Sequence, residues 1–356
     1  MNQNQPYISV INVVRNDNYG GSFKHRLQMA ISWSARMFNK YKLPVELLLI
    51  NYNPLSDQPS LWESLLLPDT GEWVDLRMIT VPPSIHHQMV QPEIRKTVPV
   101  FEFIAKNIGI RRARGEYILC TNADILFSES LVAYLARKQL KTKTLYRCDR
   151  YDFQLLPKDL PKVANSVEEW EPLIQKRVFR FFLKGGTFTF PFSKLLAIPK
   201  RLQFLRFYNT FRESYYRLLL DTPGEKFFLI FPKIKHEQFF QFKYHCNASG
   251  DMTLMDRDSW FKLKGYLENT WISTHTDSLL VMSANASGVP IEVLEYPVYH
   301  QQHQRRFDFG VHNPDMDRMY QRLLKETEIM LKTGVPLLND ETDWGLKGLK
   351  LEEQYL

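Results

Sequence analysis

Apolar positions along the first 150 residues follow two rhythms, and their alternation predicts a layered α/β arrangement. Tyr7–Val14 is a continuous Ile- and Val-rich run, as expected of a strand covered on both faces. A polar, glycine-ended loop follows, Arg15-Asn16-Asp17-Asn18-Tyr19-Gly20-Gly21. In His25–Lys40, helical spacing puts Leu27, Ala30, Ile31, Ser34 and Met37 near one face. Val45–Ile50 and Leu76–Val81 predict two more strands, ended by Asn51-Tyr52-Asn53-Pro54 and by Pro82-Pro83, with a short helix over Trp62–Leu67 between them. Phe101–Arg112 predicts a helix and Glu116–Cys120 a strand ending in Thr121-Asn122-Ala123-Asp124. Ser128–Lys138 predicts a helix with Ser128 as its N-cap, and Leu145–Arg150 a further strand.

This order implies a mostly parallel sheet with helices on its faces. Ligands of such sheets bind beyond the carboxyl ends of the strands. Three polar clusters fall there: Arg15–Asn18, Asn51–Asn53 and Asn122–Asp124. The chain has no G-x-G-x-x-G after its first strand and no GxxxxGK[ST], which argues against a standard dinucleotide fold and a P-loop NTPase. Beyond residue 245, Cys246–Gly265 resumes ordered character with Trp260 and Phe261 in a helix. Helices over Thr276–Ala286 and Asn313–Thr333 flank a strand at Ile291–Tyr296, and Gly334-Val335-Pro336 stops the last helix.

Composition narrows the class. The 356 residues suit one large domain or two ordinary ones, and 44% apolar with 24% charged residues excludes wholesale disorder. Three cysteines without a CxxC pair argue against a disulfide scaffold or a Cys-type zinc site and suit a reducing cytoplasm. The start MNQNQPYISVINVV has no charged lead into its apolar run and no cleavage site, so no signal peptide is expected. No uncharged apolar window reaches the roughly 18 residues of a spanning helix. Charge is uneven: Gln175–His245 holds 14 Lys and Arg against 4 Asp and Glu, and 15 of the 24 Phe, so the rest of the chain is net acidic. Within it, Arg177, Phe179, Arg180, Phe181, Phe182 and Lys184 lead into Lys200, Arg201, Phe204, Arg206, Phe207, Phe211 and Arg212. Such interleaving suits a helical subdomain with an aromatic core, or an anionic membrane surface, and less so single-stranded nucleic acid. The expected divisions are residues 1–150, a basic aromatic insertion 151–245, then 246–310 and a terminal helix and tail 311–356.

The chemistry concentrates at Asn122-Ala123-Asp124. A carboxylate just past a strand can hold a divalent cation against a diphosphate, or merely cap the next helix. In the run from Lys106 to Asp124, Asn107, Gly109, Ala113, Gly115, Glu116, Tyr117 and Ile118 fall in register with a known signature. The segment resembles the N-x-G…A-x-G-E-Y-I stretch that leads to the DXD metal motif in GT-A fold glycosyltransferases of the family 2 type. Asn122 replaces the first Asp of that motif, which makes Asp124 the surer ligand. Asn247–Trp260 and Leu263-Lys264-Gly265-Tyr266 look like the acceptor-side segment of these enzymes. Asp277 matches the position of the general base in inverting relatives, with Asp251 as a competitor and Asp256 and Asp258 as helix caps. Related transferases place a histidine metal ligand near His300 and His303; the choice between the two stays open, and imidazole suits Mn²⁺ better than Mg²⁺.

The resemblance further implies a donor site. Arg15, Asn16 and Asp17 follow the first strand, where the family holds base and ribose, with Asn51 and Asn53 after the second. Asn107, Asn122 and Ala123 complete that set, and Arg111 and Arg112 are either diphosphate contacts or a solvated helix face. His86 and His87 read as loop residues without a partner, and Trp344-Gly345 as an anchor of the tail. The implied protein has a GT-A-like, mostly parallel sheet flanked by helices, with a basic aromatic-rich helical insertion. It transfers a sugar from a nucleotide-diphosphate sugar to a glycan or lipid-linked acceptor, with Mn²⁺ or Mg²⁺ and with inversion. Its expected location is cytoplasmic, either free or peripheral on the inner face of the membrane. Two alternatives stand beside it: a nucleotidyltransferase, opposed by the lack of a Gly-rich basic loop after the first strand, and a non-catalytic glycan- or membrane-binding module.

Overall fold

The computed structural model describes residues 5–66, 70–94, 97–155, 169–183, 186–189, 244–246, 248–270, 274–304, 314–340 and 343–356. The first half alternates strand and helix: β1 (Ile8–Val14), α1 (Phe23–Lys40), β2 (Val45–Tyr52), α2 (Leu61–Ser64), β3 (Val74–Val81), α3 (Pro83–Met89), α4 (Glu102–Arg112) and β4 (Tyr117–Thr121). Next come β5 (Ile125–Phe127), α5 (Glu129–Ala136), β6 (Leu145–Phe153), α6 (Trp170–Arg177), β7 (Val178–Leu183) and β8 (Gly186–Thr189). The second half holds β9 (Thr253–Asp256), α7 (Arg257–Lys262), α8 (Thr276–Ala286), β10 (Ile291–Gln301), α9 (Pro314–Thr333) and β11 (Glu352–Tyr355).

One sheet runs β11-β3-β2-β1-β4-β9-β6-β10-β5. Its longest ladders, β1 with β2 and β4, β2 with β3, and β6 with β10, are parallel. Shorter antiparallel pairs add β5, β9 and β11. The sheet is therefore mixed, mostly parallel along its length, with helices on its faces, as the repeating pattern predicts. Both faces are covered: one buries Leu27, Trp33, Leu47 and Leu119, the other Ile11, Ile50, Ile108, Ile118 and Trp260. Ser128 caps α5 by accepting from the Leu131 backbone N–H, the expected cap.

Several expectations need correction. Pro82-Pro83 does not merely end β3; Pro83 opens α3, because proline's fixed φ suits the first turn of a helix. His86 and His87 therefore lie on a helix, and His86 is buried against Tyr52 and Phe101. The short helix after Pro59 spans only Leu61–Ser64. The strand expected at Ile291–Tyr296 does not stop there but runs through Pro297 to Gln301 as β10, the proline standing at a register shift between Leu294 and Val298. The expected helical insertion starts with α6 but then forms the β7–β8 hairpin, and β7 pairs with the end of β6. Its Val- and Phe-rich sequence suits a pleated, half-buried surface. Of the residues on which the membrane and nucleic-acid readings rest, Arg177, Phe179, Arg180, Phe181 and Phe182 fall in α6 and β7, with Phe181 buried, while Lys184 and those from Lys200 to Arg212 lie outside the described residues. Among the described residues, no helix is long and apolar enough to cross a membrane.

Candidate metal and nucleotide site

Three side chains converge at the carboxyl ends of β4 and β10. Asp124, His300 and His303 offer ligand atoms that all lie within 4.8 Å of one another. Asp124 Oδ2 stands 3.1 Å from His303 Nε2 and 3.8 Å from His300 Nε2. Oxygen and nitrogen ligands about 2.1 Å from one ion lie about 3 Å apart when adjacent, so these separations suit a shared divalent cation. One carboxylate with two imidazoles fits Mn²⁺ better than Mg²⁺. Both histidines reach the cluster; His300 lies in β10, opposite Ile125 of β5, and His303 just beyond the strand.

The electrostatics favour an ionised Asp124. Burial would raise its pKa, but His300, His303 and Arg26 outweigh that and hold it well below the usual carboxylate range. Arg26 Nε lies 3.6 Å from Asp124 Oδ2, while its other nitrogens donate to the Gly21 and Tyr19 carbonyls. Gln301 steadies the loop, donating from its backbone and side chain to the Asp124 carbonyl.

A cavity of about 320 Å³ opens over the cluster. Its walls include Arg15, Asp17, Tyr19, Glu102, Asn122, Ala123, Asp124, Thr274, His300 and His303. It thus joins the loop after β1 to the loop after β4. Arg15 donates to the Asn53 carbonyl at 2.6 Å and pairs with Asp17 at 2.7 Å. Asn53 borders a neighbouring cavity of about 870 Å³ that shares Arg15, Asp17 and Tyr19. Asn16 holds the loop after β2, donating to the Leu55 carbonyl and accepting from its N–H. Asn51 is buried at the end of β2 and lines neither cavity.

A buried polar chain runs behind this wall. Lys106 is fully buried on α4 and donates to Glu102 at 2.8 Å, Asn122 Oδ1 at 3.0 Å and the Gly250 carbonyl at 3.1 Å. Burial opposes its charge, but Glu102 outweighs that and the pKa is raised. Asn122 Nδ2 donates to Asp251 Oδ1 at 2.8 Å, and Arg150 donates to Asp251 Oδ2 at 2.6 Å. Arg150 also binds Asp152 from two nitrogens, at 2.7 and 3.2 Å. Asp152 Oδ1 in turn faces His300 Nδ1 at 3.2 Å. Asn122 thus has both amide atoms engaged, and Asp251 is buried with both oxygens engaged. Asp277, in the first turn of α8, accepts from the Ser278 N–H; its Oδ2 lies near Gly250, at 3.3 Å from where a Cβ would stand there.

Other expected site residues are placed elsewhere. Asn107 is fully buried on α4, donating to the Tyr266 carbonyl and Glu268 and accepting from the Tyr266 N–H. Arg111 stacks on Trp344 with its guanidinium 3.8 Å from the ring and donates to the Trp344 carbonyl. Arg112 donates to carbonyls of Gly345, Leu346 and Leu349. These groups hold the C-terminal segment against α4, away from the cavity. Asp152, Arg150 and Lys106 went unrecognised in the sequence. Reading the strand at Leu145 a few residues further would have put Asp152 at a strand end, beside the other polar clusters.

No family model matches the chain, and no curated protein matches it. Among solved structures, it is similar to the mannosyltransferase PcManGT from Pyrobaculum calidifontis in complex with GDP-Man and Mn²⁺, at 13% identity and TM-score 0.39, over 84% of this chain and 57% of that one. It is also similar to the galactosyltransferase LgtC in complex with donor and acceptor sugar analogs, at 12% identity and TM-score 0.27, over 39% of this chain and 46% of that one. The chain therefore spans about half the length of either structure.

Proposed function

We propose that the protein is a metal-dependent glycosyltransferase that uses a nucleotide-diphosphate sugar and acts on a glycan or lipid-linked acceptor with inversion. The observation that carries this reading is the Asp124–His300–His303 cluster in a cavity that also reaches the loop after β1. The resemblance of the Asn107–Asp124 segment to family 2 transferases points the same way. Arg15 and Asp17 would border the nucleoside, and the cluster would hold a divalent ion, which supplies positive charge beside the departing diphosphate. Asp277 is our choice for general base, because both oxygens of Asp251 are already occupied by Asn122 and Arg150. As the acceptor oxygen bonds to the anomeric carbon, the bond to the diphosphate oxygen breaks and the hydroxyl proton passes to Asp277.

A thermal-shift screen of UDP, GDP, CMP and dTDP, with and without Mn²⁺, tests the reading. A ligand that binds only the folded chain raises its midpoint. The expected result is a Mn²⁺-dependent rise with one nucleotide that disappears in Asp124→Ala. No rise with any nucleotide, or a Mn²⁺-dependent rise that survives Asp124→Ala, would overturn it.

A further inference from the structure

Among the described residues behind the cluster, Asp152 is a buried carboxylate with three neighbours, Arg150, Arg180 and His300. It is fully buried at the end of β6, and the parallel register sets it directly opposite His300 of β10. Its Oδ2 takes Arg150 Nη2 at 3.2 Å and Arg180 Nη1 at 3.4 Å; its Oδ1 takes Arg150 Nε at 2.7 Å and faces His300 Nδ1 at 3.2 Å. Arg150 already has a buried partner in Asp251 at 2.6 Å. Burying a second carboxylate against the same guanidinium carries a desolvation cost that its further partners must offset. A proton on Nδ1, on the side of this carboxylate, would leave the Nε2 lone pair for the opposite side of the ring, and Nε2 is the atom turned toward Asp124.

We propose that Asp152 is a positioning residue that holds the His300 ring through Nδ1 so that Nε2 faces Asp124, and that Arg150 ties this hold to Asp251 and Asn122 under the cavity. The proposal rests on the reading of Asp124, His300 and His303 as a metal site. It assigns the Asp152–His300 pair a role in ion binding that neither residue's own strand would require.

The test is a Mn²⁺ titration of the full chain, read by the electron paramagnetic resonance of the free ion. Asp152→Ala is expected to weaken Mn²⁺ binding about 10–100-fold, the usual cost of losing such a partner. Spin-echo modulation from bound imidazole nitrogen should fall from two nitrogens to one. Asp152→Asn should lose affinity in the same direction but less, because both oxygens face donors and an amide cannot accept at both. Asp256→Ala, which removes the carboxylate that caps α7, serves as the structural control: it should lower the unfolding midpoint and leave the Mn²⁺ isotherm unchanged. A folded Asp152→Ala that binds Mn²⁺ as tightly as the parent, with two nitrogens, overturns the proposal; should that variant not fold, an unchanged isotherm in Asp152→Asn does so. If Asp124→Ala abolishes binding while the Asp152 variants do not alter it, only the proposal fails. If the parent binds no Mn²⁺, or binds it regardless of Asp124→Ala, the metal-site reading falls and the proposal with it.

Discussion

Asn122 serves two neighbours of opposite character, donating to Asp251 and accepting from Lys106. An aspartate there would still suit Lys106 but would set a carboxylate against Asp251 across the present 2.8 Å contact. Asn122→Asp should therefore cost about 1–3 kcal/mol of stability and leave Mn²⁺ binding no tighter. Urea unfolding and a Mn²⁺ titration check both points; a tighter isotherm would mean that the new carboxylate turns to the ion. Asp124 and Asp152 should make the fold sensitive to acid. Burial would raise both, but His300 with His303 and Arg26 in one case, and His300 with Arg150 in the other, hold them below their unfolded values. Each carboxylate therefore stabilises the fold above the unfolded pKa of about 4, and that contribution is lost as pH falls through the depressed folded values. Unfolding free energy measured from pH 6 downward should decline below about pH 5, with a shallower slope in Asp152→Asn. Asp124 was legible because it stands in a polar strand-end loop. Asp152 was not, because its meaning depends on His300, which only the parallel pairing of two distant strands brings alongside.

At the scale of elements, the signature around α4 is a packing device as much as a chemical one. Gly109 faces β1, where an added Cβ would come within 2.7 Å of Ile11 Cγ2. Gly115 passes the Ser9 backbone, where a Cβ would stand 2.5 Å from the nitrogen. Asn107 locks the turn at Tyr266. These residues bring α4 close enough to the sheet for Lys106 to reach Asn122 from beneath the cavity. Gly109→Ala should overpack that contact and cost about 1–3 kcal/mol, seen in urea unfolding as a lower midpoint. The central strands and their helices were readable because long apolar runs and helical spacing agree over many residues. β5 and β11 were not, since strands of three or four residues carry too little pattern. β10 was cut short at its proline, which the structure accommodates at a bulge, and so both histidines were expected beyond the strand when His300 belongs to it.

Over the whole molecule the sequence carries +7, yet the described charges buried around the cluster largely offset one another. Asp124 faces Arg26, Asp152 and Asp251 share Arg150, and Arg180 approaches Asp152. A divalent ion added to such a balanced site brings an excess of positive charge into a partly enclosed cavity, where it is weakly screened. The ion then favours an anionic ligand, and a nucleoside diphosphate supplies charge of the right sign and size. On the proposed reading the two should bind with coupling, and linkage requires each then to tighten the other by the same factor. Calorimetric titration of Mn²⁺ with and without saturating nucleoside diphosphate should show a tightening of about 5–150-fold, matched when the nucleotide is titrated with and without Mn²⁺. Asp124→Ala should remove the coupling while leaving metal-free nucleotide binding largely intact, since Arg15 and Asp17 lie on another wall of the cavity. Independent binding of metal and nucleotide in the parent protein would mean that the cluster does not face the diphosphate, and the donor would then have to be sought in the adjoining cavity beside Asn53.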